Sequence, residues 1–199
     1  MTPLERAACQ SAPWRLFARH VVLPWALGGD VPVGSVLEIG GGSGAMAAQL
    51  LERHPDITMV VTDFDPAMVE NAADRLRGFG DRVEVRQADA TALPFEDSSF
   101  DAVVSFIMLH HTVEWENALA EATRVLRPGG KLIGYDLVRA SPMPRLHHDH
   151  REDGHRFMDV DTLRRVLAGL PLDAVSVRRA RGGLLVRFRA ERDRNRTDQ

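Results

Sequence analysis

One cysteine, one tyrosine and one lysine occur among the 199 residues. With Cys9 alone, no disulfide can form within the chain, which fits a reducing compartment. No apolar run approaches the roughly 18 residues that a membrane-spanning helix needs. The N-terminus lacks the short apolar core and cleavage pattern of a secretion signal, so the expected location is cytoplasmic. Net positive charge is lacking too: the formal charge is -3, which argues against a nucleic-acid surface. Apart from Lys131 every cationic side chain is arginine, and eight arginines lie between Arg178 and Arg196. Glu191, Asp193 and Asp198 interrupt that run, so it reads as a solvated strand pair and tail ahead of a phosphate or carboxylate site.

The length suits one domain with a proper core. Trp14, Phe17, Val21 and Trp25 fall near helical spacing, so residues 1–34 are expected to hold one or two helices. Short branched runs then alternate with helical ones. Strands are expected at Ser35–Ile39, Ile57–Thr62, Val83–Gln87, Phe100–Phe106 and Lys131–Tyr135. Helices are expected at Ala45–Arg53, at Ala67–Arg77 with Asp65 as N-cap and Pro66 in the first turn, and at Trp115–Val125, stopped by Arg127-Pro128-Gly129-Gly130. A further helix at Asp161–Leu170, capped by Asp161, precedes paired strands at Ala174–Arg179 and Leu184–Ala190, joined through Gly182-Gly183. Such alternation implies an α/β fold with a mostly parallel sheet covered on both faces and an antiparallel pair at its end. Ligands bind such sheets beyond the carboxyl ends of the strands.

Three features meet at those ends. Val36 to Ile39 runs into the glycine cluster Gly40 to Gly44, a turn that brings bare backbone close to a ligand. Asp63 ends the second strand about twenty residues on, the usual place for a carboxylate that reads two ribose hydroxyls. Asp89 follows the third strand and suits an adenine amino group. Together they narrow the ligand to an adenosine or a dinucleotide.

The string Leu37-Glu38-Ile39-Gly40-Gly41-Gly42-Ser43-Gly44 resembles the first motif of the class I S-adenosylmethionine-dependent methyltransferases. Asp63-Phe64-Asp65-Pro66-Ala67-Met68 resembles their second. Asp89-Ala90 with Leu93-Pro94-Phe95, Ser99-Phe100-Asp101, Leu109-His110-His111, Glu121 and Arg124 to Gly130 resemble the remainder. The resemblance covers roughly residues 35–136 and is nearest to the small-molecule branch that includes quinone-biosynthesis methyltransferases. It implies a Rossmann-like, doubly wound sheet of seven strands, S-adenosylmethionine as cofactor and a small-molecule acceptor. It also implies roles. Glu38 and the backbone of Gly40, Gly42 and Gly44 would face the methionine part. Asp63 would hold the ribose, Phe64 and Met68 the adenine faces, Asp89 and Ala90 the adenine edge, and the Phe106 carbonyl the cofactor amino group. Asp101 and Arg124 are expected to support the scaffold.

Methyl transfer from a sulfonium needs a base only when the acceptor carries a proton. His110, just past the fourth strand, is the first candidate, followed by His111 and Tyr135; a structural role for the histidines is an equal alternative. Residues 141–160 hold His147, His148, His150 and His155, which read as a solvated loop, then as a lid contributing to acceptor choice, then as a metal site. The expected organisation is thus one methyltransferase domain over 1–199: helical segment 1–34, cofactor core 35–140, histidine-rich lid or loop 141–160, and closing helix and strand pair 161–199. Other readings stay open: a nicotinamide-dependent oxidoreductase, a nucleic-acid methyltransferase, and a non-catalytic cofactor-binding partner. A homodimer is compatible with the apolar N-terminal helices.

Overall fold

A computed structural model describes residues 18–138, 158–180 and 182–195. Its seven strands are β1 (Ser35–Ile39), β2 (Thr58–Asp63), β3 (Val83–Gln87), β4 (Phe100–Phe106), β5 (Leu126–Leu137), β6 (Leu172–Arg179) and β7 (Leu185–Arg192). They form one sheet in the order β3-β2-β1-β4-β5-β7-β6. The first five run parallel, and β7 inserts antiparallel between β5 and β6. Strand order reverses between β2-β1 and β4, which puts the mouth of the sheet beside the glycine turn.

Side chains alternate along each strand and so separate into two cores. One face is covered by α1 (Leu23–Leu27), α2 (Ala45–Arg53) and α3 (Pro66–Leu76), whose Leu23, Leu50, Leu51, Ala72 and Leu76 pack on Val36, Val104 and Tyr135. The other is covered by α4 (Trp115–Arg124) and α5 (Val160–Gly169), whose Trp115, Leu119, Leu163 and Leu167 pack on Leu37, Val103, Leu132 and Phe188. A fully buried leucine contributes about 1.5–3 kcal/mol, so the doubly covered strands anchor the molecule. Each of the five positions from Ala102 to Phe106 is buried, as befits a central parallel strand that is apolar there apart from Ser105.

Two expectations are corrected. Arg127-Pro128-Gly129-Gly130 does not separate helix from strand: β5 begins at Leu126, pairs Leu126 with Phe100, and resumes with Lys131 opposite Ala102 after a register shift. The Pro-Gly-Gly segment is a bulge inside the strand, where an unpaired residue is tolerated. The cap of α5 is Asp159, not Asp161. The Asp159 side chain accepts from the backbone N–H groups of Asp161 and Thr162; the bond from the Thr162 hydroxyl first, and then these backbone bonds, hold its carboxyl below the ordinary range. Asp65 caps α3 as expected, accepting from Ala67 N at 2.9 Å with Pro66 in the first turn.

Candidate active site

The turn after β1 is a coil of left-handed residues, with φ of +63° at Gly40, +54° at Gly42 and +72° at Gly44. The neighbours show why Gly40 and Gly44 are bare. A Cβ on Gly40 would meet the Met108 side chain at 2.6 Å, and one on Gly44 would meet Leu76 at 3.0 Å. A Cβ on Gly42 would meet nothing within 4 Å: that glycine faces open space above the sheet. The turn is braced by Gly41 N donating to Thr62 O at 2.8 Å and by Arg75 Nε, reaching from α3 to Ser43 O at 2.7 Å.

Glu38 is buried beneath this turn. Burial first, and then the negative charge of Asp63, push its carboxyl up to about 8, partly opposed by a bond from the Ala47 N–H. Its Oε2 has no hydrogen-bond partner among the described residues. A buried carboxyl oxygen left so is costly unless a ligand meets it.

Asp63 ends β2 and is half-buried. Its Oδ2 accepts from Gly42 N at 2.8 Å and its Oδ1 from Asp65 N at 3.0 Å. The same carboxylate that sequence assigns to a ribose therefore also grips the glycine turn. Phe64 beside it is 71% exposed, an unusual position for an aromatic ring. Met68 and Ala90 are buried, and Asp89 is exposed with its Oδ1 taken by the backbone and hydroxyl of Thr91.

Beyond β4 the backbone turns abruptly. Ile107 adopts φ +53°, a conformation rare for a β-branched residue, and donates its N–H to Tyr135 O at 2.9 Å. This swing lays Met108 on Gly40 and starts a single 3-10 turn, Leu109–His111. His110 is buried, and its Nδ1 lies 2.6 Å from Asp136 Oδ1. Asp136, fully buried on β5, also accepts from Leu109 N at 2.7 Å and from Leu137 N at 2.6 Å. The exposed His111 ring lies against that of His110, with centroids 3.9 Å apart and planes tilted by 40°. Tyr135 points to the opposite face of the sheet, between Trp25 and Phe106. Asp136 was not singled out from the sequence; the only signal for it was an acid directly after the run Leu132 to Tyr135.

Asp101 and Arg124 serve the scaffold. Asp101 accepts from Ser35 N and pairs with Arg127, while Arg124 ties Glu121 to Asp97 and to the carbonyls of Leu93 and Phe95. His147, His148, His150 and His155 lie outside the described residues. Among those described, no group of three His, Cys, Asp or Glu side chains could hold a metal, and no helix is long and apolar enough to cross a membrane.

The residues fit an adenosyl sulfonium donor. The unpartnered Glu38 oxygen suits a cation, and the open side of Gly42 leaves a cradle that any side chain would fill. Residues 37–134 match the methyltransferase-domain family. A demethylmenaquinone methyltransferase of Clavibacter sepedonicus is 36% identical over 147 residues, which are 67% of this chain and 56% of that protein. A sterol 4-C-methyltransferase of Caenorhabditis elegans is 30% identical over 119 residues, 60% of this chain and 36% of that protein. The chain spans about half the length of the relatives it matches. Among solved structures, the [4+2]-cyclase SpnF superimposes with a TM-score of 0.75 at 21% identity, covering 90% of this chain and 83% of that one.

Proposed function

Because the chain belongs to the class I S-adenosylmethionine-dependent methyltransferases, we propose that it transfers a methyl group from S-adenosylmethionine to a small-molecule acceptor. The observation that carries this reading is the combined site of Glu38, Gly42 and Asp63. One buried carboxyl has an unmet oxygen, one glycine faces open space, and one carboxylate at the end of β2 accepts from that glycine's N–H. When bound, the donor supplies a methyl group already activated on a sulfonium, so the protein's work is orientation and handling of the acceptor's proton.

The proposed roles follow position by position. Glu38 meets the donor's cationic end, and Gly40, Gly42 and Gly44 let its methionine part approach the backbone. Asp63 exchanges its bond to Gly42 N for ribose hydroxyls. Phe64, with its exposed face, and Met68 sandwich the adenine, whose edge Asp89 and Ala90 read. The Phe106 carbonyl accepts from the donor's amino group. His110 is the acceptor-side base and His111 its neighbour. Tyr135 is placed in a supporting role, since it faces away from Asp136 into the core beneath α1.

The relatives act on a demethylated menaquinone and on a sterol, as their names state, which supports an apolar ring acceptor here. We place the reaction in the cytoplasm, in a single domain over residues 1–199, with the segment 141–160 contributing to acceptor choice and no nucleic-acid partner; a homodimer is compatible with this reading. Isothermal titration of the full chain with S-adenosylmethionine and with S-adenosylhomocysteine tests the reading. Both are expected to bind, and Asp63→Ala is expected to weaken both by at least tenfold, about 1.4 kcal/mol. Binding of a nicotinamide dinucleotide instead would sink it.

A further inference from the structure

We infer that Asp136 is a positioning residue paired with His110, and that the pair serves an acceptor that must lose a proton to be methylated. This rests on the methyl-transfer reading and narrows its acceptor to a phenol, an enol or a comparably acidic C–H compound.

The argument starts from burial. Asp136 is fully buried near the end of β5, and burial disfavours a carboxylate unless every oxygen is engaged. Three donors engage it: Leu137 N and His110 Nδ1 on one oxygen, and Leu109 N on the other. Two of these fix the backbone on either side of the site. The third fixes the orientation of the His110 ring. With Nδ1 donating to Asp136, the neutral imidazole carries its hydrogen on Nδ1, and Nε2 is the nitrogen that can accept a proton.

The location agrees. The turn that carries His110 is held against the donor cradle by Met108, whose side chain lies on Gly40. It is entered through the left-handed Ile107, a conformation kept only where surrounding contacts enforce it. His110 is thus held at the carboxyl end of β4, next to the turn that receives the donor.

In the step so defined, the acceptor atom's electron pair forms the new bond to the methyl carbon. The bond from that carbon to sulfur breaks, its pair staying on sulfur. The acceptor's proton passes to Nε2 of His110, and Asp136 faces the resulting imidazolium through Nδ1. The proton then returns to solvent. No oxidant or further reactant is required.

A purely architectural carboxylate would hold Leu109 and Leu137 equally well, so the test reads the ring itself. In nitrogen-15 spectra of the full wild-type chain, His110, assigned by its loss in His110→Gln, is expected as the Nδ1–H tautomer. An Nε2–H tautomer overturns the inference without any variant having to fold. Kinetics supply the second arm, with methyl-labelled S-adenosylmethionine and reduced 1,4-naphthoquinone as acceptor. Asp136→Asn is expected to lower kcat by roughly 10²–10⁴-fold, to leave donor affinity within about threefold, and to move the rising limb of the pH profile. The double variant with His110→Gln should be no slower than His110→Gln alone. An unchanged kcat in Asp136→Asn, or losses that multiply, overturns the pairing. Donor titration separates the two failures: no heat of binding in the wild type sinks the methyl-transfer reading, whereas normal binding with an indifferent Asp136 sinks the pairing alone.

Discussion

Glu38 is the residue whose titration should be visible in the whole protein. In the unfolded chain its carboxyl returns to an ordinary value near 4.5, whereas in the fold it is pushed up to about 8. The native state therefore holds a proton that the unfolded state releases across that window, and stability falls as pH rises through it. A shift of this size is worth a few kcal/mol. The thermal midpoint of the ligand-free protein is expected to drop between pH 5 and pH 8, and Glu38→Gln should flatten that drop; a midpoint equally pH-dependent in both proteins would contradict this. Glu38 and Asp63 were legible in sequence because Asp63 ends β2 and Glu38 stands next to the last residue of β1, each beside a recognisable turn. Asp136 was not, since its partner lies 26 residues earlier and no spacing rule joins an acid on one strand to a ring on the turn after another. The bracing of Ser43 by Arg75 escaped for the same reason.

The glycine turn and the helix caps carry the predictions that belong to single elements. Gly42 and Gly44 share a left-handed backbone, so alanine strains both by about 1–2 kcal/mol. Their surroundings differ. At Gly44 the added methyl presses on Leu76 and Ala72, so Gly44→Ala should unfold at the lower temperature. At Gly42 it enters the open cradle, so Gly42→Ala should fold better yet lose donor binding in a calorimetric titration. At α5, Asp159→Ala should cost about 1 kcal/mol and Asp161→Ala much less, read from denaturation midpoints. Two acids flank Val160, and the pattern alone favoured the later one. The buried Val160 at the first helical position decided for the earlier. Element type was legible throughout β1 to β4 because branched runs and glycine turns agree there. The start of β5 was not, because Pro128-Gly129-Gly130 carries the same turn signal whether it ends an element or bulges within one.

Across the molecule, contacts distant in sequence tie α1 to the far hairpin. Arg187 donates to Trp25 O and lies over the Trp25 ring at 5.6 Å. Arg189 reaches Leu27 O, Gly28 O and the carboxylate of Asp30, which Lys131 also binds at 2.9 Å. Part of the arginine-rich segment thus has an architectural task, clamping the carbonyl end of a short helix, where cationic side chains are favoured. Arg189→Ala is expected to accelerate amide exchange at Gly28 and Asp30 by about tenfold while moving global unfolding by only a few degrees. Equal protection in both proteins would show that the Arg189 contacts do not hold the end of α1.

The insertion of β7 between β5 and β6 has a consequence for the chain as it is made. Of the seven strands, β7 emerges from the ribosome after all the others, yet it occupies an interior slot. Until it arrives, β6 has no neighbour to bond, β5 shows a raw edge to the cell, and the arginines that will fasten α1 have not been synthesised. A nascent chain at this stage is the form on which chaperones and proteases would act most readily.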